Sequence, residues 1–149
     1  MKKAFTMVEL IFVIVIIGIL ATIAIPRLAA TRDDALIAKN SQYIVGIMTE
    51  ISSYIVAKGE SKNDLREMSS LLQTLDGQGR VVVDNIGKSA KVKIGKQVGC
   101  IVVDINSSGT TELLGTSFTP TTDRICNQVQ EFIKEKDYPL ILRGRLIKY

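Results

Sequence analysis

The 149-residue sequence contains no histidine and no tryptophan, and it has only two cysteines and three prolines. Without histidine, the chain lacks the side chain that most often serves as a general base and as a zinc ligand. It also lacks a Gly-x-Ser-x-Gly nucleophile turn, a phosphate-binding glycine loop and a zinc-binding helix. The sequence therefore argues against an enzyme, and it predicts no cofactor.

An excess of one charge is also missing. Lysine and arginine number 19, aspartate and glutamate number 15, and the net charge is +4. This near balance does not favour binding to nucleic acid, so no nucleic-acid partner is expected. A chain of this length supports one modest domain beyond an anchor.

Long apolar runs are present, by contrast, and one of them dominates the N-terminus. The stretch from Leu10 to Ile25 is apolar almost throughout, and Glu9 lies just before it. As a helix, residues 5–25 would span about 31 Å, close to the bilayer core of about 30 Å. A cleavable secretory signal is the alternative. The carboxylate of Glu9 and the helical pattern that continues past the run argue against it.

The helical pattern extends beyond the run to about Lys58. Apolar residues recur at intervals of three and four and form one stripe, which predicts an amphipathic helix. Pro26 lies within this long helix, where proline removes an amide donor and is expected to produce a kink. The alternative is two separate helices that are broken at Pro26.

After Lys58 the pattern changes to short elements. A polar stretch with Gly59 ends the helix, and a short helix is predicted over 64–75 with Asn63 as its cap. Further elements are predicted as strands at 80–83, 91–94, 100–105 and 111–114, a helix at 121–135 capped by Thr122 or Asp123, and an extended segment from Pro139. The predicted fold class is α+β: a long N-terminal helical spine, with a membrane half and an amphipathic half, carries a small, mostly antiparallel sheet with one or two short helices.

The N-terminal residues resemble the type IV prepilin family, which includes the pseudopilins of type II secretion. The family pattern is a short basic leader, a small residue, then Phe-Thr-x-x-Glu and an apolar helix. In this chain Lys2-Lys3-Ala4 precedes Phe5-Thr6-Met7-Val8-Glu9 and the apolar run. The resemblance covers about the first 35 residues. Alanine stands at position 4, where the family usually has glycine.

The resemblance implies a role for each of these residues. Prepilin peptidase would cut between Ala4 and Phe5 and methylate the new amino group of Phe5. Glu9 would pair with the amino group of Phe5 in a neighbouring subunit and set the register of assembly. The implied domains are a leader (1–4), a transmembrane and filament-core helix (5–26), its amphipathic continuation (27–58) and a periplasmic α+β head (59–149). The two lysines of the leader favour a cytoplasmic N-terminus.

Two further sites are predicted in the head. Cys100 and Cys126 could form a disulfide in an oxidising periplasm, and two buried free thiols are the alternative. Asp104, Asn106 and Ser108 place oxygen atoms at alternate positions, as at the start of a calcium loop. The bidentate glutamate of such a loop is missing, and a hairpin turn is the alternative.

These features together predict a structural subunit. It would stay in the bacterial inner membrane until it polymerises, with other pilin-like subunits and an inner-membrane assembly platform, into a type II secretion pseudopilus or a type IV pilus-like filament. Support of protein secretion is the first interpretation, and a pilus or DNA-uptake role is the second. The rival from another class is a membrane-anchored periplasmic binding domain that never polymerises.

Overall fold

The computed structural model describes residues 5–84, 86–108, 111–134 and 137–143. It confirms the predicted α+β class, with a long N-terminal helix and a small antiparallel sheet. The elements in chain order are helix α1 (Met7–Lys58), a short 3₁₀ helix (Leu65–Glu67), α2 (Ser70–Gly77), β1 (Val81–Val83), β2 (Ser89–Ile94), β3 (Gln97–Ser108), β4 (Thr111–Phe118), α3 (Arg124–Ile133) and β5 (Leu140–Arg143).

Helix α1 contributes to two compact units. The first unit is Met1–Leu36 and the second is Ile37–Tyr149. Pro26 lies inside α1, which is assigned as one helix, so the alternative of two helices broken at Pro26 is wrong. The helix ends at Lys58 because Gly59 adopts a left-handed backbone with φ of 76°, a conformation that suits glycine.

The core of the second unit is one apolar cluster between α1 and the sheet. Helix α1 contributes Ile44, Ile47, Met48, Ile51 and Ile55, which follow the predicted stripe. Strand β2 and the part of β3 from Ile101 to Ile105 bury alternate residues, as expected when one face of a sheet is buried, and β4 adds Leu114. The helix therefore serves as the second layer that covers the sheet.

The sheet has five strands in the order β1-β2-β3-β4-β5, and all neighbours are antiparallel. Strands β3 and β4 form its longest pair, from Ile101↔Phe118 to Ser108↔Thr111. This register places Val103 and Ile105 on the buried face, whereas Asp104 and Asn106 lie on the opposite face. We call that opposite face the outer face of the sheet.

The single helix predicted over 64–75 is wrong in detail. The chain forms the 3₁₀ helix Leu65–Glu67, capped by Asp64, and then α2, capped by the side chain of Ser69. Ser69 interrupts the helix because its hydroxyl accepts a hydrogen bond from the amide of Leu72. The helix predicted at 121–135 is α3, and of the two expected caps the structure uses Asp123.

The predicted calcium loop is not a loop. Asp104, Asn106 and Ser108 belong to β3, because pairing with β4 continues to the end of that strand. This stretch forms a strand because its backbone hydrogen-bonds to β4, a partner that its own residues do not reveal. Gly109, the glycine of the predicted loop, lies outside the described residues.

Candidate functional site

The candidate site is the start of α1, where the predicted processing and assembly residues lie. Ala4 lies outside the described residues. Phe5 precedes the helix, and its side chain is 84% exposed. Nothing in the described chain therefore covers the residue that the prepilin resemblance assigns to methylation.

Thr6 and Glu9 form a reciprocal cap at the start of α1. The Thr6 amide and hydroxyl both donate to Oε2 of Glu9, at 2.8 and 2.7 Å, and the Glu9 amide donates to the Thr6 hydroxyl at 3.3 Å. This is the capping box, in which a threonine and a glutamate three residues later satisfy amides of the first turn. Within one chain, Glu9 therefore helps to begin the helix.

The sequence reasoning missed this local role of Glu9. The signal was present, because Thr6-x-x-Glu9 before an apolar run is the capping-box pattern. The Thr6 amide and hydroxyl both donate to Oε2 of Glu9, and among the described residues no donor contacts its Oε1. The arrangement leaves one carboxylate oxygen available for a donor from another molecule.

The apolar surface that follows has no partner within the described part of the chain. Every large apolar side chain from Met7 to Ile25 is at least 41% exposed. The hydroxyl of Thr22 adds little polarity to this surface, because it donates a hydrogen bond to the carbonyl of Ile19 at 2.7 Å. In the described part of the chain, α1 is the one helix long and apolar enough to cross a membrane, with a mean hydropathy of 3.0 over its most apolar window. A surface of this size needs a lipid or protein environment.

The two cysteines lie far from this segment, at disulfide distance. Cys100 on β3 and Cys126 on α3 are bonded, with 5.9 Å between their Cα atoms, and both are fully buried. The side-chain amide of Gln130 donates to the carbonyls of Cys100 and Thr119, at 2.7 and 2.9 Å. The bond and these contacts attach α3 to the sheet.

The predicted metal residues do not converge on a metal site. Asp104 and Asn106 lie on the outer face of β3, and nothing is described of the Ser108 side chain. In residues 5–84, 86–108, 111–134 and 137–143, no group of three or more His, Cys, Asp or Glu side chains could hold a metal ion. Calcium binding at Asp104, Asn106 and Ser108 stays a prediction.

Comparison with known proteins identifies the N-terminal segment. Residues 1–25 match the family model described as the prokaryotic N-terminal methylation motif. This motif is the hallmark of the prepilin-type signal of type IV pilins and pseudopilins. No curated protein and no solved structure matches the chain. The motif and the apolar helix fit a membrane-anchored, single-pass protein, and they favour a structural protein over an enzyme.

Proposed function

We propose that the chain is a pilin-like structural subunit that polymerises through its N-terminal helix into a type II secretion pseudopilus or a type IV pilus-like filament. The observation that carries the proposal is the methylation motif at residues 1–25, directly followed by a helix whose apolar side chains are exposed. Prepilin peptidase cleaves between Ala4 and Phe5 and methylates Phe5. The exposed position of Phe5 supports this step.

The helix serves two environments in turn. Before assembly it spans the inner membrane, with the leader in the cytoplasm and the head in the periplasm. During assembly the same apolar surface leaves lipid and packs against the helices of other subunits. Van der Waals packing drives such helix association, because lipid tails are as apolar as the side chains they replace. An inner-membrane assembly platform carries out the extraction.

Glu9 gives the assembly its register. A carboxylate at the start of an apolar helix is costly in lipid or in a protein interior unless a cation pairs with it. Cleavage creates such a cation, the amino group of Phe5, on every subunit. Thr6 holds Oε2 of Glu9 in the capping box, and Oε1 accepts from the amino group of the neighbouring subunit.

The test is incorporation of a Glu9→Gln subunit into filaments in cells. The substitution keeps the shape of the side chain and an acceptor for Thr6, but it removes the charge. We expect membrane anchoring to be unchanged and the fraction of subunits that cross-link to one another to fall by about tenfold. Glu60→Gln, at an exposed position after α1, is the matched control and should incorporate normally.

The result separates the two function classes. A membrane-anchored binding domain that never polymerises requires no charge pair, so Glu9→Gln would leave its behaviour the same as that of the wild type. Normal cross-linking of the Glu9→Gln subunit would therefore contradict the assembly role. Loss of secretion in the same cells favours a pseudopilus, whereas loss of surface filaments or of DNA uptake favours a pilus.

A further inference from the structure

A cleft of about 360 Å³ opens on the outer face of the sheet, where Asp104 and Asn106 lie. Asp104 and Asn106 of β3, Leu113 and Gly115 of β4, and Pro139 before β5 are among its lining residues. The register brings these groups together, since Asp104 pairs with Gly115 and Asn106 pairs with Leu113. The volume lies in the range of small-ligand sites, about 300 to 1,000 Å³.

Asp104 is the one charged group among these lining residues. Its side chain is partly buried, and no hydrogen bond or ion pair joins it to any residue in the described part of the chain. Burial raises the pKa of its carboxyl group. A partly buried carboxylate without a partner is unfavourable, and a cation that enters the cleft would relieve this cost.

Gly115 leaves room for the carboxylate of Asp104. A Cβ at position 115 would lie 3.1 Å from both carboxylate oxygens of Asp104, closer than ordinary van der Waals contact. The absence of a side chain at 115 therefore lets the carboxylate rest over β4 with its oxygens accessible from the cleft. Any larger residue would push Asp104 away from this position.

The lining residues favour an organic cation over a metal ion. Calcium takes six to eight oxygen ligands and usually several carboxylates, whereas Asp104 is the single carboxylate among the described residues that line this cleft. Asn106 adds an amide oxygen, and Leu113 and Pro139 add apolar walls that suit an alkyl chain. A lysine side chain has this combination of an apolar stem and a charged end. We propose that the cleft binds a primary alkylammonium group, which donates hydrogen bonds to Asp104 while its alkyl chain contacts Leu113 and Pro139.

The proposal is tested with n-butylammonium chloride and the full chain in detergent micelles. The measurement is the amide chemical shift of Gly115 and Asn106 by NMR as the ligand is added. We expect saturable shifts with n-butylammonium and none with n-butanol, which has the alkyl chain without the charge. Asp104→Asn should weaken binding by at least about tenfold, the loss expected for one charge-assisted hydrogen bond. Glu131→Gln, an exposed carboxylate on α3, is the control and should bind as the wild type does.

Gly115→Ala provides a second, independent variant. It keeps the charge of Asp104 but displaces the carboxylate, so it should also weaken binding. Equal shifts with n-butanol would overturn the proposal in favour of an apolar pocket, and shifts with calcium chloride alone would overturn it in favour of a metal site. Unchanged binding by Asp104→Asn, or no shift with any probe, would overturn it as well.

Two sources could supply the alkylammonium group, and a dilution series distinguishes them. A lysine from a second copy of this chain would make the Gly115 and Asn106 shifts of the wild type depend on protein concentration without added ligand, and Asp104→Asn would remove that dependence. Shifts that do not change on dilution, together with n-butylammonium binding, place the source outside the chain. The proposal does not depend on filament assembly, because it concerns the head alone.

Discussion

At the scale of single residues, two carboxylates on the β3–β4 pair, Glu112 and Asp104, differ in their hydrogen bonds to the rest of the described chain. Glu112 is 7% exposed, and its Oε1 accepts from the amide and the hydroxyl of Ser61, at 3.1 and 2.6 Å, whereas its buried Oε2 accepts no hydrogen bond from the described residues. This contact fixes the segment after α1 to β4. Asp104, on the same pair of strands, has no such donor among the described residues. A residue that is kept at a cost to folding is a candidate for binding rather than for stability.

The stability of Asp104→Asn should therefore depend on pH in a defined direction. Burial raises the pKa of Asp104, so the folded state binds its proton more tightly than the unfolded state does. The wild type consequently loses stability as the pH rises from the ordinary aspartate pKa to the raised one. At pH 7 we expect the free energy of unfolding of Asp104→Asn to equal or exceed that of the wild type. The gain should be less than about 1 kcal/mol, because solvent screens the charge of Asp104. The difference should vanish at acidic pH.

The measurement is denaturant unfolding of both proteins from pH 3 to pH 7. Asp64 contributes the opposite slope, because its hydrogen bond with the Arg66 guanidinium lowers the pKa of that carboxyl. This contribution is common to both proteins and cancels in their difference. A loss of stability in Asp104→Asn at pH 7 would mean that the carboxylate has a structural partner, which contradicts the account above.

At the scale of elements, the position of α2 depends on one side chain of α1. Oε2 of Glu50 accepts from the Ser69 hydroxyl at 2.8 Å and from the Leu71 amide at 3.1 Å. The carboxylate thus lies at the N-terminus of α2, where the helix dipole favours negative charge. The contact joins residues that lie 19 and 21 positions apart in the chain, Glu50 with Ser69 and Glu50 with Leu71.

Glu50→Ala should lower the free energy of unfolding by about 1 to 3 kcal/mol, because it leaves donors at the start of α2 without this acceptor. Glu50→Gln keeps an acceptor oxygen and should lose less, which makes it the matched control. Denaturant unfolding measures both values. Equal stability of Glu50→Ala and the wild type would show that the contact contributes nothing to the fold.

The limits of sequence prediction follow from the same contact. The long helix, its end at Gly59 and the antiparallel sheet were predictable, because local periodicity and glycine conformation determine them. The break before Ser70 was not, since the Glu50 contact is tertiary and Ser69 is also a tolerated helix residue. The end of β3 at Ser108 was likewise missed, because pairing with Thr111 depends on a partner strand.

The functional sites likewise include features that the sequence predicts and features that only the fold reveals. The residue types and the capping-box pattern of Thr6 and Glu9 can be recognised in the sequence, because both lie within one helical turn. The Asp104 cleft was not predictable as a cleft. It requires Gly115 of β4 beside Asp104 of β3 and Pro139 on the other side of β4, and only the register of three strands brings them together.

At the scale of the whole molecule, the protein combines a folded second unit with a first unit whose helix exposes apolar side chains. The second half of α1 is buried in the core of the second unit, whereas the first half exposes its apolar side chains. The disulfide between Cys100 and Cys126 and the buried cluster stabilise the head without any contribution from that exposed surface. The function proposed above requires this exposed helix surface to face lipid before assembly and other subunits after it.

The mass of the mature N-terminal peptide tests the central claim most directly. It is measured by mass spectrometry in cells with and without prepilin peptidase. If the chain is a pilin-like subunit, we expect a peptide that starts at Phe5 and carries one methyl group, only when the peptidase is present. An N-terminus at Met1 in both strains would contradict it, because Phe5 would then have no free amino group to pair with Glu9.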